Sequence, residues 1–417
     1  MRHLKNIFSS EAGQLYIVQL ANFAIPLVVF PYLTRTLGLN NFGKYGFGLT
    51  LFFLFSFFIE FGFNFSGSRR ISIDNERKFT NLIFTNIQFI RFTIFLICVF
   101  ISLIIYFSRF FDINDSKIIV VASILSFSSV LTPSWFFNGI AKNSVVAKVT
   151  LFFKIVFIIP IFFLVNSKDD YILALVLQGL PAILVGIVLL YYIRSNKLAA
   201  FKFNLMSLSE IRKFLKDSFD NFVGSLFTLS HTYLVPIIIK IILGDSYVGI
   251  YTALERIMGV IRQLYVPIQQ AYFAKVSLLF EQKQTEEIKV SLIKILKIYL
   301  SIGFVSLVGN ICFGSYLLPV ILGQDFQIHH YLNIAIITQI VISMAIILTS
   351  FIIIPAGKSF ILKYAYACST IIFFMFTMPC AMKFGIIGVL SLVLWVEVIL
   401  TLFFLIYTLS IKKSLYR

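Results

Sequence analysis

Eleven ionisable side chains sit inside long apolar stretches of this chain: Arg35, Glu60, Arg91, Lys154, Asp220, Lys240, Glu255, Arg256, Arg262, Lys363 and Glu397, with His231 in addition. Charge inside a membrane is costly, so such groups usually face a cavity or a partner. Seven are cationic and four anionic, an excess that suits an anionic cargo. Arg91, Asp220, Lys240 and Lys363 lie near predicted helix ends, where snorkelling or capping explains them equally well.

Polar residues at helical spacing extend the pattern. Ser56, Glu60 and Asn64 recur at i, i+4 and i+8, and Gln19, Asn22 and Pro26 share a face. So do Gly224, Thr228 and His231, and so do Arg256, Gln263, Pro267 and Gln270. In lipid such faces turn to protein or water. One stripe can be helix–helix glue; four, divided between the two halves of the chain, point to a shared hydrophilic cavity. A lone histidine such as His231 is more often satisfied by packing than used for proton transfer. Pro26, Pro31 and Pro236 fall within the first and seventh apolar spans, and each is a candidate helix bend. No GxSxG, P-loop or HExxH motif occurs, and no carboxylate pair stands in a polar loop, so nothing reads as an enzyme. Cys98, Cys312, Cys368 and Cys380 lie in apolar stretches without metal-ligand spacing. No metal and no cofactor is expected.

The elements that must position these groups are membrane helices. Of the 417 residues, 59% are apolar and only 13% charged, against a usual quarter or so, too few charges to cover a soluble protein of this size. Twelve spans are predicted, at about 14–34, 44–66, 83–107, 118–139, 147–166, 171–193, 218–242, 248–273, 292–314, 331–354, 360–382 and 385–410. The fold class is an all-α integral membrane protein, in two pseudo-symmetric six-helix bundles around a central cavity. Residues 1–11 are short and mixed, and the first apolar run is too long for a signal core, so no cleaved leader is expected.

The net charge of +17 has no soluble domain in which to serve nucleic acid; it fits the positive-inside rule instead. With the N-terminus inside, twenty-one Lys and Arg of the connections fall on the cytoplasmic side. Six fall outside: Arg35, Lys44, Arg109, Lys117, Lys168 and Lys383. Both termini are then cytoplasmic. The longest polar connection, 194–217, becomes a cytoplasmic linker between an N-terminal bundle, 1–193, and a C-terminal bundle, 218–417. A repeat relates the halves. Pro31 precedes Arg35, Leu37-Gly38, Gly43 and Tyr45; Pro236 precedes Lys240, Leu243-Gly244, Gly249 and Tyr251. The pieces are offset by 205 and 206 residues, as in a parallel repeat about the membrane normal.

Several of these motifs resemble Wzx-type O-antigen and polysaccharide-unit flippases of the MATE-like (MOP) transporter superfamily. Ala21-Asn22 with Pro26, Pro31-Tyr32-Leu33-Thr34-Arg35, Leu37-Gly38 and Phe42-Gly43-Lys44-Tyr45 resemble their first-helix signature. Glu60-Phe61-Gly62-Phe63-Asn64 with Ser66 and Arg69 resembles the end of their second helix. Pro133-Ser134-Trp135-Phe136-Phe137-Asn138-Gly139 resembles a fourth-helix motif, and Pro355-Ala356-Gly357-Lys358 a late one. Lys240 and Asn138 depart from the family pattern.

The resemblance implies a flippase of the bacterial inner membrane. It would move undecaprenyl-diphosphate-linked glycan, an O-antigen or capsule unit, from the cytoplasmic to the periplasmic leaflet by alternating access. It implies the lipid bilayer, a polysaccharide polymerase and a chain-length regulator as partners, and no nucleic acid. Arg35, Lys154, Lys240, Arg256 and Arg262 would hold the diphosphate, for which arginine's planar fork is suited. Glu60, with Asn22, Asn64, Glu255 and His231, would form the polar cavity and couple transport to H+ or Na+. A drug exporter of the same superfamily would want acidic residues for cationic cargo, against the excess found. A membrane polymerase or ligase is disfavoured by the repeat and the short outer connections.

Overall fold

The computed structural model describes the backbone of residues 11–74, 78–282 and 284–415, and side chains over 28–74, 78–226, 233–282 and 284–410. The described residues are helical with short connections, as an apolar chain requires when its backbone must satisfy itself. Among the described residues, eight helical segments are long and apolar enough to cross a membrane. Val28–Ile73 has 46 residues and Phe360–Ser410 has 51, where about 20 suffice for one crossing. Both are interrupted at a glycine.

The chain divides into two compact units, Met1–Leu229 and Ser230–Arg417. In the first unit, α1 (Glu11–Glu60) breaks at Gly38, with φ 68° and ψ 171°. This dihedral region is essentially restricted to glycine. The break reverses the chain: the rings of Phe30 and Phe42 meet at 5.8 Å, where a straight helix would hold them about 18 Å apart. A second break follows at Phe61-Gly62, both with positive φ, before α2 (Phe63–Ile73). The predicted span 44–66 is therefore two helices.

After α3 (Thr80–Ser108), the predicted span 118–139 is three pieces: α4 (Ile113–Leu125), α5 (Phe127–Leu131) and α6 (Ser134–Gly139). Pro133, which lacks an N–H, explains the second gap. Trp135, Phe136 and Phe137 of α6 are fully buried, packed with Phe84, Ile87, Val185 and Leu189. The unit continues through α7 (Asn143–Leu164) and α8 (Tyr171–Ser195). Between those two helices, Asp170 accepts hydrogen bonds from the backbone N–H of Ser167 (2.7 Å) and Asn166 (2.9 Å). The Ser167 bond leads in holding its carboxyl below the ordinary aspartate range.

The connection from α8 to α9 (Leu208–Leu243) lies along the polar start of α3. Asn81 accepts from the N–H of Ala200 (2.7 Å), Thr85 from Lys202 (3.0 Å) and Asn86 from Ser207 (3.2 Å). The first turns of α9 then pack on the break at Gly62. A β-carbon on Gly62 would stand 2.8 Å from the carbonyl oxygen of Ser218 and 2.9 Å from the nitrogen of Phe222. Around this close approach, Phe61 stacks on Phe222 at 4.6 Å and the hydroxyls of Ser66 and Ser218 meet at 2.6 Å. Arg70 pairs with Asp217 and lies over the Phe214 ring at 4.4 Å.

In the second unit, α9 and α10 (Asp245–Glu281) are separated by Gly244, with φ 89° and ψ −177°. Gly38 and Gly244, 206 residues apart, thus adopt the same glycine-only turn. Tyr45 and Tyr251 are both buried behind it. The unit continues through α11 (Thr285–Gly309), a π-helical turn (Asn310–Gly314), α12 (Ser315–Leu322), α13 (His329–Leu348), a second π-helical turn (Thr349–Ile353) and α14 (Phe360–Leu415), which breaks at Gly385. Each π turn carries a polar link. Asn310 donates to the carbonyl of His329 and to Asn333, both at 2.8 Å, and Gln269 donates to Ser350 at 3.0 Å. The core joins Tyr265, Ile295, Tyr299, Ile347 and Phe351.

Two substitutions separate backbone strain from crowding. Gly244→Ala places its β-carbon in open space, so its cost is the dihedral alone, about 1–3 kcal/mol. Gly62→Ala meets a milder strain, since φ 75° and ψ 5° lie in the left-handed region that other residues enter at about 1–2 kcal/mol. It also collides with α9, however, and should destabilise more. Unfolding of both variants in detergent micelles, followed by circular dichroism, gives the comparison; a loss at Gly62 no larger than that strain would mean that α2 and α9 yield freely at this contact.

Candidate functional site

Glu60 is the last residue of α1, directly before the break at Phe61-Gly62. The i, i+4, i+8 stripe comes together around it. The Asn64 amide donates to Glu60 Oε2 at 2.9 Å, across the break and onto α2. Ser56, one turn earlier, has a buried hydroxyl without a hydrogen-bond partner among the described residues. Arg91 lies on the neighbouring α3: α2, which follows Glu60, packs on α3 at Ile87, one turn before Arg91, where a β-carbon on Gly67 would stand 3.1 Å away.

Arg91 is only 2% exposed, the most deeply buried cation described. It stands in the interior of α3 and neither snorkels nor caps. Its guanidinium holds the gap between α5 and α6. Nη1 donates to Gln88 Oε1 at 2.8 Å, and Nη2 donates to the carbonyls of Ser129 and, at 3.1 Å, Thr132. Gln88 in turn donates to the carbonyl of Val130 at 3.0 Å. The reason lies in helix geometry. Ser129 is four residues before Pro133, so its carbonyl faces the position where proline has no N–H. Val130 would accept from Ser134, whose N–H goes to Thr132 instead. Arg91 and Gln88 supply the missing donors, and each buried carbonyl left unpaired would cost about 1–3 kcal/mol. In the sequence, Gln88 and Arg91, one turn apart at the edge of an apolar run, were the signal; the partner, a proline gap some forty residues later, was not visible.

The other candidate residues have separate surroundings. Arg35 is exposed at the end of the first helical stretch, before Gly38. Lys240 is half-buried and ion-paired with Asp245, so it bridges the Gly244 turn. The two repeat-related cations therefore differ in environment. Lys154 is half-buried within α7, and Arg256 half-buried within α10. Arg262 pairs with Glu255 at 2.5 Å, two turns apart on α10, both about two-fifths exposed. Pro31 is half-buried in α1, whose helical dihedrals run on to Gly38, and Pro236 is buried inside α9. The backbone is helical at Asn22, Pro26 and His231, while their side chains lie outside the described residues.

Comparison with known proteins finds relatives over most of the chain. A "Putative O-antigen transporter" of Shigella dysenteriae is 27% identical over 395 residues, covering 94% of this chain and 97% of that protein. A "Putative O-antigen transporter" of Escherichia coli (strain K12) is 28% identical over 270 residues, 63% of each chain. The fold is similar to that of a multidrug resistance MATE family transporter of the MOP superfamily in its inward-facing conformation. The TM-score there is 0.66 at 12% identity, over 94% of this chain and 99% of that one. The family model for polysaccharide biosynthesis proteins matches residues 8–274. The chain is a multi-pass membrane protein with a MATE-type transporter fold, and it belongs to the polysaccharide biosynthesis protein family.

Proposed function

We propose that this protein is a flippase for undecaprenyl-diphosphate-linked O-antigen or capsule units. It carries them from the cytoplasmic to the periplasmic leaflet of the bacterial inner membrane by alternating access. The observation that carries the reading is relatedness over nearly the whole chain to a protein named as an O-antigen transporter. The cation excess within the apolar stretches supports it, since a diphosphate and acidic sugars are anionic and a cationic drug is not. In this reading the eight long apolar segments, with their glycine breaks, and the more polar α9 and α10 make twelve crossings, six in each half.

Arg35, Lys154, Arg256 and Arg262 are the cations proposed to meet the diphosphate. Arg262 would have to exchange Glu255 for it, and Lys240 to exchange Asp245. Glu60 is proposed as the coupling group for H+ or Na+: a carboxylate at a helix break, opposed by one buried cation, can change its charge while the backbone around it adjusts.

The direct test is complementation. In a strain lacking its flippase, expression should restore surface polysaccharide and clear lipid-linked units from the cytoplasmic leaflet; failure with a correctly folded protein, across several unit chemistries, would remove the reading. Glu60→Gln should lower transport by about tenfold, ~1.4 kcal/mol in barrier, and flatten its response to an imposed pH or sodium gradient while leaving folding intact. An unchanged gradient response would exclude Glu60 from coupling. For orientation, a cysteine at position 205 should react with a membrane-impermeant reagent only from the cytoplasmic side, as the basic asymmetry requires; reaction from the periplasm in intact cells would invert the topology.

A further inference from the structure

The carboxylate of Glu60 and the backbone gap at Pro133 share one guanidinium. Nη1 and Nη2 of Arg91 are committed to Gln88 and to the carbonyls of Ser129 and Thr132. Nε has no hydrogen-bond partner among the described residues, although the side chain is almost wholly buried. Glu60 lies beside the helix that carries Arg91: its partner Asn64 is on α2, which packs on α3 one turn from Arg91. A guanidinium is planar and rigid, so a pull on one edge is felt at the others. We propose that Arg91 is a positioning residue of the transport cycle: it ties the charge on Glu60, at the end of α1, to the hold on the broken segment 126–133.

The electrostatics give the tie a direction. With Glu60 ionised, two sources of negative potential compete for Arg91, the carboxylate and the carbonyl dipoles, and the uncommitted Nε–H is the donor that can follow the carboxylate. With Glu60 neutral, the buried cation is compensated by the carbonyls and Gln88 alone, and it draws onto them. The charged groups on the elements packed against α1 and α3 include Asp115 and Lys117 of α4, Arg69 and Arg70 of α2, Lys148 and Lys154 of α7, and Asp217 and Asp220 where α9 meets Gly62. Asn64 faces Glu60 from α2 and Gln88 faces Arg91 on α3. The helices α5 and α6 contain no ionisable side chain. The arginine of α8, which packs on α5, is Arg194 in its last turn. What the clamp holds is consequential. The gap leads into Trp135, Phe136 and Phe137 at the centre of the first unit's core, and the Trp135 carbonyl accepts from Ser68 of α2 at 2.8 Å. A change at Glu60 thus reaches α2 by two routes, directly through Asn64 and through Arg91 by way of α6.

This inference rests on Glu60 as the coupling group, but its test is separate. Hydrogen exchange of the full-length protein in detergent micelles, read by mass spectrometry over peptides within 126–140, compares wild type, Glu60→Gln and Arg91→Lys from acid to neutral pH. After correction for intrinsic exchange, protection in the wild type should rise as pH falls. Glu60→Gln should be several-fold more protected than wild type at neutral pH and insensitive to pH. Arg91→Lys keeps the charge and loses the fork; it should lower protection and abolish the effect of an added Glu60→Gln. Equal protection of wild type and Glu60→Gln at every pH would overturn the tie, and that comparison does not need the Arg91 variant to fold. Altered exchange with unchanged transport in Glu60→Gln would overturn the coupling role and leave the tie standing. Altered transport with unaltered exchange would do the reverse.

Discussion

A chain with so few charges surrounds most of its backbone with apolar atoms, where an unpaired N–H or C=O has no water to turn to. Each interruption of a helix must therefore be satisfied from within the protein. Pro133 is the clearest instance. It removes a donor in the middle of a buried stretch, and Arg91 with Gln88 replaces it from another helix. The π turns of the second unit carry polar links of another kind: Asn310 donates to the carbonyl of His329 and to the Asn333 side chain, and Gln269 to the Ser350 hydroxyl. At Pro133, then, two polar residues inside an apolar stretch are placed by backbone need.

This places charge and irregular backbone together. Glu60 stands at one break and Arg91 mends another, on helices whose neighbours pack together. Irregular segments are also where a membrane helix can change shape at least cost, because they have fewer internal hydrogen bonds to lose. A charged group mid-helix would have little to move. The same group beside a break can act on a segment that already has two ways of being satisfied.

Much of this was legible in the sequence. The apolar runs mark the helices, the Leu-Gly pairs at 37–38 and 243–244 mark matched turns, and the spacing of Glu60 and Asn64 marks a shared face. The turns were legible because glycine there is required by the backbone itself, a local property. Arg91 was not, for a physical reason. The charge-free run begins at residue 92, so Arg91 looked like a helix end. The helix starts well before it, at Thr80, where Asp74 accepts from the Thr80 hydroxyl at 2.7 Å. The polar turns in between are buried because they carry the backbone of residues 200–207. Lys240 was read beside Arg35 because the repeat aligns them; its partner Asp245 lies just past the turn, where the two halves differ in sequence. Such pairings depend on which elements meet, and spacing along one helix does not carry that information.

The turn at Gly38 has a consequence for what the chain tolerates there. Phe30 and Phe42 touch across it, so the two helices are joined at one residue. A side chain at 38 would have to take dihedrals that only glycine adopts freely. One residue inserted beside it would rotate either helix by about 100° against the other. The join thus has no slack in length or in residue type, and the register of the two helices is set at this one position.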